Sequence, residues 1–120
     1  MNIPFSPPDI TEEEIEAVAE VMRSGWITTG PKTKELERKM AEFTHTNRGV
    51  CLNSATSCME MALRLFEIGP GDEVIVPAYT YTASASVVCH VGATLRLVDV
   101  EKGTFHIDYA AVERMINENT

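Results

Sequence analysis

The sequence predicts an α/β fold with a mostly parallel sheet and flanking helices. Two observations carry this reading. Three short apolar runs, Val50–Leu52, Glu73–Val76 and Thr94–Val98, alternate with segments of helical periodicity. Strands that alternate with helices pair in parallel through crossovers, which are right-handed in nearly all cases. Turn signals punctuate the pattern, at Gly69-Pro-Gly-Asp between the first two runs and at Lys102-Gly after the third. A length of 120 residues suffices for one domain with a modest core.

Taken in order, the first eight residues hold Pro4, Pro7 and Pro8 and read as an extended arm. Thr11-Glu-Glu-Glu is a capping box, with Thr11 as N-cap and Glu14 three residues on. Ile15, Val18, Ala19 and Met22 follow at helical spacing, and Gly25 stops the helix. Gly25-Trp-Ile-Thr-Thr-Gly-Pro is a loop. Pro31 suits the first turn of a second helix to about Thr44, with Leu36, Met40 and Phe43 inward. Residues 1–48 thus form an arm and two helices, and residues 49–120 a βαβαβα unit. In that unit strand Val50–Leu52 leads to helix Thr56–Glu67, and strand Glu73–Val76 to a small-residue helix through about His90. Gly92 ends that helix ahead of Thr94–Val98. Asp108 caps a last helix with Ala111, Val112, Met115 and Ile116.

Composition excludes several classes. The chain is 44% hydrophobic and 23% charged, as globular chains are. A net charge of −8 argues against nucleic-acid and anionic-membrane surfaces, which both need a basic patch. Cys51, Cys58 and Cys89 are odd in number and sit in apolar company, which reads as reduced, buried thiols of a cytoplasmic protein. No cysteine pair has metal-ligand spacing, and His45, His90 and His106 are scattered, so no metal site is expected. Met1–Pro8 lacks the basic and apolar regions of a secretory leader, and no segment is long and apolar enough to span a membrane.

Chemistry concentrates where loops follow strands. In a parallel sheet ligands bind beyond the carboxyl ends of the strands. Asn53–Ser57, Pro77–Thr82 and Asp99–Gly103 answer that description. Asn53–Ser57 lacks the glycines and lysine of a nucleotide-triphosphate loop. It reads as a cup for one phosphate, built from helix N-terminal N–H groups and the Thr56 or Ser57 hydroxyl. The plainer alternative is a helix cap, and the motif alone balances the two. Tyr79 and Tyr81 follow the second strand, where an aromatic ring can stack on a planar ligand. Tyr81 lies nearer the helix start, which favours it as the ligand-facing ring. Trp26 and its loop could contact a polar ligand through backbone groups, or the indole could fill a gap between helices or at an interface. Asp72 and Asp99 read as turn or cap residues.

Four stretches carry a resemblance. They are Ser24-Gly-Trp-Ile-Thr-Thr-Gly-Pro-Lys, Asn53-Ser-Ala-Thr-Ser-Cys-Met-Glu, Gly69-Pro-Gly-Asp-Glu-Val-Ile-Val-Pro-Ala-Tyr-Thr-Tyr-Thr, and Val91-Gly-Ala-Thr-Leu-Arg-Leu-Val-Asp-Val. In order and spacing they resemble the N-terminal part of the DegT/DnrJ/EryC1/StrS family of pyridoxal-phosphate-dependent sugar aminotransferases. The resemblance implies the large domain of the aspartate-aminotransferase-like fold (PLP fold type I), with pyridoxal 5′-phosphate as cofactor. It implies that Ala55 and Thr56 hold the cofactor phosphate and that Tyr81 stacks on the pyridine ring. It implies that Trp26, Ile27 and Thr28 line the nucleotide-sugar site, close to a subunit interface. Ser57-Cys58 departs from the Ala-Ala or Ala-Gly of many relatives without disturbing the helix start.

Transamination also needs a lysine that forms a Schiff base and a carboxylate that faces the pyridine nitrogen. In the family both come later in the chain. Lys32, Lys34, Lys39 and Lys102 match neither position, so no catalytic residue is assigned. Two readings follow. In the first, the chain is the N-terminal part of a cytoplasmic, homo-oligomeric aminotransferase that acts on nucleotide-linked keto-sugars with an amino-acid donor, glutamate. Glycan, lipopolysaccharide and antibiotic-sugar routes are all open to it. In the second, the chain is a non-catalytic, truncated α/β protein that binds phosphate ligands weakly or self-associates.

Overall fold

The computed structural model describes residues 3–120, so the first two residues of the predicted arm lie outside the described residues. The chain divides into two compact units, Met1–Cys51 and Leu52–Thr120. In the first unit residues 3–10 form neither helix nor strand. Helix α1 (Glu12–Ser24) begins with the capping box that the sequence predicts. The Thr11 N–H donates to Glu14 Oε2 at 2.6 Å, and the Glu13 N–H donates to Thr11 Oγ1 at 3.2 Å. The Thr11 side-chain and backbone hydrogen bonds hold the Glu14 carboxyl below the ordinary glutamate value. Gly25 closes the helix in the left-handed region (φ 72°), with its N–H on Met22 O. Helix α2 (Pro31–Phe43) has Pro31 in its first turn.

The stripe of α2 is not inward as expected, and that of α1 is exposed as well. Val18 is 61% exposed and Met22 68%, and Ile15, Leu36, Met40 and Phe43 are exposed too. Only Ala41 is buried in α2, and no residue is buried in α1. Periodicity defines an apolar face but not its cover, and α1 and α2 are not packed face to face.

In the second unit, helix α3 (Ala55–Leu65), strand β1 (Glu73–Pro77), helix α4 (Ala83–His90), strand β2 (Thr94–Val98) and helix α5 (Tyr109–Met115) follow in order. The two strands pair in parallel, with Glu73 opposite Thr94 and Pro77 opposite Val98. Alternation then puts Val74, Val76, Leu95 and Leu97 on one face. Val76 packs there with Val88 and Val91 of the α4 region and Ala93, while Leu63, Ile68, Val74 and Leu95 border the cluster. The expected strand Val50–Leu52 does not form. A strand exists only through its ladder, and among the described residues the sheet contains β1 and β2 alone.

Short turns hand the helices to the strands. Asp72 closes the turn before β1, with its N–H on Gly69 O at 3.1 Å and its carboxylate accepting from the Gly69 N–H at 2.8 Å. Gly92, at φ 79°, turns α4 into β2. After β2, a small excursion closes through the antiparallel bridge Val100–Ile107 and the Asp108 N–H on Asp99 O at 3.2 Å. Asp108 then caps α5 by accepting from the Ala111 N–H at 2.9 Å. Beyond α5 the chain returns to the start of β1. The Glu73 N–H donates to Asn119 O at 2.7 Å, and Asn117 Nδ2 donates to Glu73 Oε2 at 2.8 Å, beside the Arg96 ion pair.

The cysteines are not buried as expected. Cys51 is half-buried, and Cys58 and Cys89 are exposed. Met59 and Leu63 mark the more buried side of α3, and Cys58 shares the exposed side with Met61 and Leu65. No helix among the described residues is long and apolar enough to cross a membrane. Val88 is the most deeply buried side chain, at 1% exposure. Val88→Ala is expected to lower stability by about 2 kcal/mol in urea unfolding, from lost burial and the cavity left behind.

Candidate functional site

The N-terminus of α3 is built from small polar residues that share its donors unequally. Ser54 is the N-cap; its Oγ accepts from the Ser57 N–H at 3.1 Å. The Ser57 hydroxyl donates to Asn53 Oδ1 at 2.7 Å, and Ser54 Oγ bonds Ser57 Oγ at 3.0 Å. Asn53, Ser54 and Ser57 thus satisfy one another. Among the described residues, the N–H groups of Ala55 and Thr56 and the Thr56 hydroxyl make no hydrogen bond. Three donors at a helix N-terminus, where the dipole favours negative charge, suit a phosphate. Of the two hydroxyls the sequence offers, Thr56 is the uncommitted one.

The helices aim this end toward the carboxyl ends of the strands. Both α3 and α4 pass to a strand through a short turn, so their C-terminal ends lie by the strands' amino ends. Arg64, in the last turn of α3, donates to His90 O at the end of α4 at 3.5 Å, as helices running the same way require. Glu60 joins the two more firmly. It accepts from Arg64 at 2.7 and 3.0 Å and sits 2.9 Å from His90 Nδ1. The Arg64 and His90 hydrogen bonds hold its carboxyl below the ordinary glutamate value. Sequence reasoning missed this clasp between α3 and α4. Only the Glu60–Arg64 spacing of four signalled half of it.

The loop after β1 continues the ladder by one bond, from the Ala78 N–H to Val98 O at 2.8 Å. Its two tyrosines differ. Tyr79 stacks on Phe105 with ring centroids 4.7 Å apart. Tyr81 has no ring stacked on it among the described residues and is 81% exposed. Asp72 and Asp99 serve turns, Asp99 by accepting from the Val100 N–H at 2.8 Å.

Trp26, Ile27 and Thr28 belong to the first unit, whereas Ala55, Thr56 and Tyr81 belong to the second. The Trp26 indole N–H donates to Thr29 O at 3.0 Å. Trp26 is exposed and plugs no gap between helices in this unit. With Ile27, Thr28 and Gly30 it lines a cavity of ≈ 430 Å³ that Glu20, Ser24 and Lys32 help to close.

The uncommitted donors of Ala55 and Thr56 match a phosphate, and the unstacked Tyr81 ring matches a planar aromatic group. These residues therefore fit pyridoxal phosphate, whose two recognisable parts are a phosphate and a pyridine ring.

Comparison with known proteins identifies the family. Residues 8–120 match the model of the DegT/DnrJ/EryC1/StrS aminotransferase family. Over 118 residues the chain is 43% identical to a UDP-4-amino-4-deoxy-L-arabinose–oxoglutarate aminotransferase of Shewanella sediminis, covering 98% of this chain and 30% of that protein. Spr1654 of Streptococcus pneumoniae, named as a sugar aminotransferase and solved in a PLP form, is 62% identical with a TM-score of 0.92. That match covers 100% of this chain and 31% of the other. An aminotransferase from Psychrobacter cryohalolentis is 33% identical with a TM-score of 0.86, over 98% of this chain and 30% of its own. The chain thus spans about 30% of the length of these relatives. The neighbours show the expected fold, that of PLP fold type I aminotransferases.

The Trp26 loop yields a direct test. A Cβ on residue 30 would lie 2.3 Å from Trp26 Cδ1 and 2.5 Å from Nε1. Gly30→Ala is expected to drive the indole off Thr29 O and shift the emission of this sole tryptophan to longer wavelength. Unchanged fluorescence would contradict the packing described.

Proposed function

Because the chain belongs to the DegT/DnrJ/EryC1/StrS aminotransferase family, we propose that it is the N-terminal part of an aminotransferase acting on a nucleotide-linked keto-sugar, with glutamate as amino donor. Pyridoxal phosphate is the cofactor of the complete enzyme. When bound, its ring supplies the electron sink for amino transfer. The observation that carries the reading is the set of uncommitted donors on Ala55 and Thr56 at the start of α3.

In this reading the Ala55 and Thr56 N–H groups and the Thr56 hydroxyl bind the phosphate and so anchor the cofactor. Tyr81 covers one face of the ring and excludes water from it. Trp26, Ile27 and Thr28 line the sugar-nucleotide pocket, supported by the cavity beside them. No residue of this chain is given the covalent or proton-moving role. This reading places the complete enzyme in the cytoplasm, in keeping with the free cysteines of this chain.

Thr56→Val is expected to weaken binding of pyridoxamine 5′-phosphate about tenfold or more, the loss of one charge-assisted hydrogen bond. Isothermal titration measures this, and an unchanged affinity removes Thr56 from the phosphate site.

Self-association is the second reading, and it complements the first as a homo-oligomer. It is favoured by the uncovered apolar stripe of α1, with Ile15, Val18 and Met22 all exposed. Sedimentation velocity of this chain should show mass rising with concentration; a constant monomer mass would reject it.

A further inference from the structure

The loop between β1 and α4 meets the excursion after β2 at a pair of stacked aromatic side chains. Tyr79 and Phe105 stack with ring centroids 4.7 Å apart and planes 26° from parallel. Phe105 is well placed to act as an anchor, because its own segment is closed on itself. The Glu101 N–H donates to His106 O at 2.9 Å, and the Thr104 N–H donates to Glu101 O at 3.0 Å. The His106 N–H donates to Thr104 Oγ1 at 3.1 Å, and the Val100–Ile107 bridge shuts the base. The backbone of the loop that carries Tyr79 is held near its ends, by the Ala78 N–H on Val98 O at 2.8 Å, the Thr80–Ser84 hydroxyl pair at 3.0 Å and the Ser84 N–H on Tyr81 O at 3.0 Å, which leaves the stack to hold its middle. Tyr81, two residues beyond the stack, is left without a ring partner among the described residues.

We propose that Phe105 is a positioning residue: by stacking on Tyr79 it fixes the loop so that Tyr81 stands ready for the planar ring of the cofactor. The proposal rests on the reading of Tyr81 as the ring-stacking residue. Phe105 touches no ligand. It acts by removing the conformations of Tyr81 that binding would otherwise have to remove. An aromatic pair of this kind is worth enough to change ring affinity roughly threefold to tenfold. The phosphate site at α3 is a separate element, so its affinity is independent of the stack.

The test uses the full chain with Phe105→Leu and Phe105→Tyr. The probes are pyridoxamine 5′-phosphate, which carries ring and phosphate, and inorganic phosphate, which carries one alone. The expected result is a roughly threefold to tenfold loss of pyridoxamine phosphate affinity in Phe105→Leu, with inorganic phosphate unchanged and Phe105→Tyr restored. Equal losses for both probes, or no loss for either, overturn the proposal. Tyr81→Ala under the same titrations examines the underlying reading: if it leaves the ratio of the two affinities unchanged, Tyr81 is not the ring contact. If the chain binds neither probe, amide hydrogen exchange over residues 79–82 decides the tether alone. Faster exchange in Phe105→Leu sustains it, and unchanged exchange overturns it.

Discussion

The ladder between β1 and β2 is the constraint on which the second unit depends. Parallel pairing with Glu73 opposite Thr94 obliges the chain to travel back before the second strand begins. That return is α4, whose Val88, with Val91 just beyond the helix, meets Val76 on the sheet face. Parallel strands also end on the same side. The loop with Tyr79 and Tyr81 and the excursion with Phe105 are therefore neighbours because of the pairing. An antiparallel pair of the same residues would have sent those loops to opposite ends.

Local signals were legible wherever the partners lie within a turn of each other. Thr11 and Glu14 announce the start of α1, Gly25 its end, Pro31 the start of α2 and Asp108 that of α5. The apolar runs at 73–76 and 94–98 became strands at nearly those bounds. The run at 50–52 did not, although its composition is as suitable. What distinguishes it is the absence of a paired neighbour, a property that resides in distant sequence. The same limit hid the Glu60–His90 clasp, whose ends are 30 residues apart, and left the cysteines misjudged as buried. Apolar neighbours in sequence do not specify which side of a helix a thiol occupies.

The polar residues before and within the first turn of α3 show how a helix cap and a ligand site coexist. A cap needs an acceptor for early N–H groups, and Ser54 provides it for Ser57. Asn53 then takes up the Ser57 hydroxyl. The remaining donors, on Ala55 and Thr56, gain nothing from the protein itself. Sequence reading placed capping and anion binding as rivals, yet they draw on different atoms of the same few residues. The candidate site is thus legible as a location but not as a division of hydrogen bonds, because rotamers decide which hydroxyl is engaged.

The tie between Glu73 and the residues after α5 bears on how the protein is made. Ribosomes deliver chains from the amino end, so β1 leaves the exit well before its last partners. The Glu73 carboxylate waits 44 residues for Asn117, and its N–H waits for Asn119. The N-terminal helices need no such delayed partner for their caps. Vectorial synthesis therefore favours an order in which β1 emerges early and its amino end is closed late. Between those moments the amino end of β1 is an open edge, the part of the nascent chain most in need of shielding from other chains.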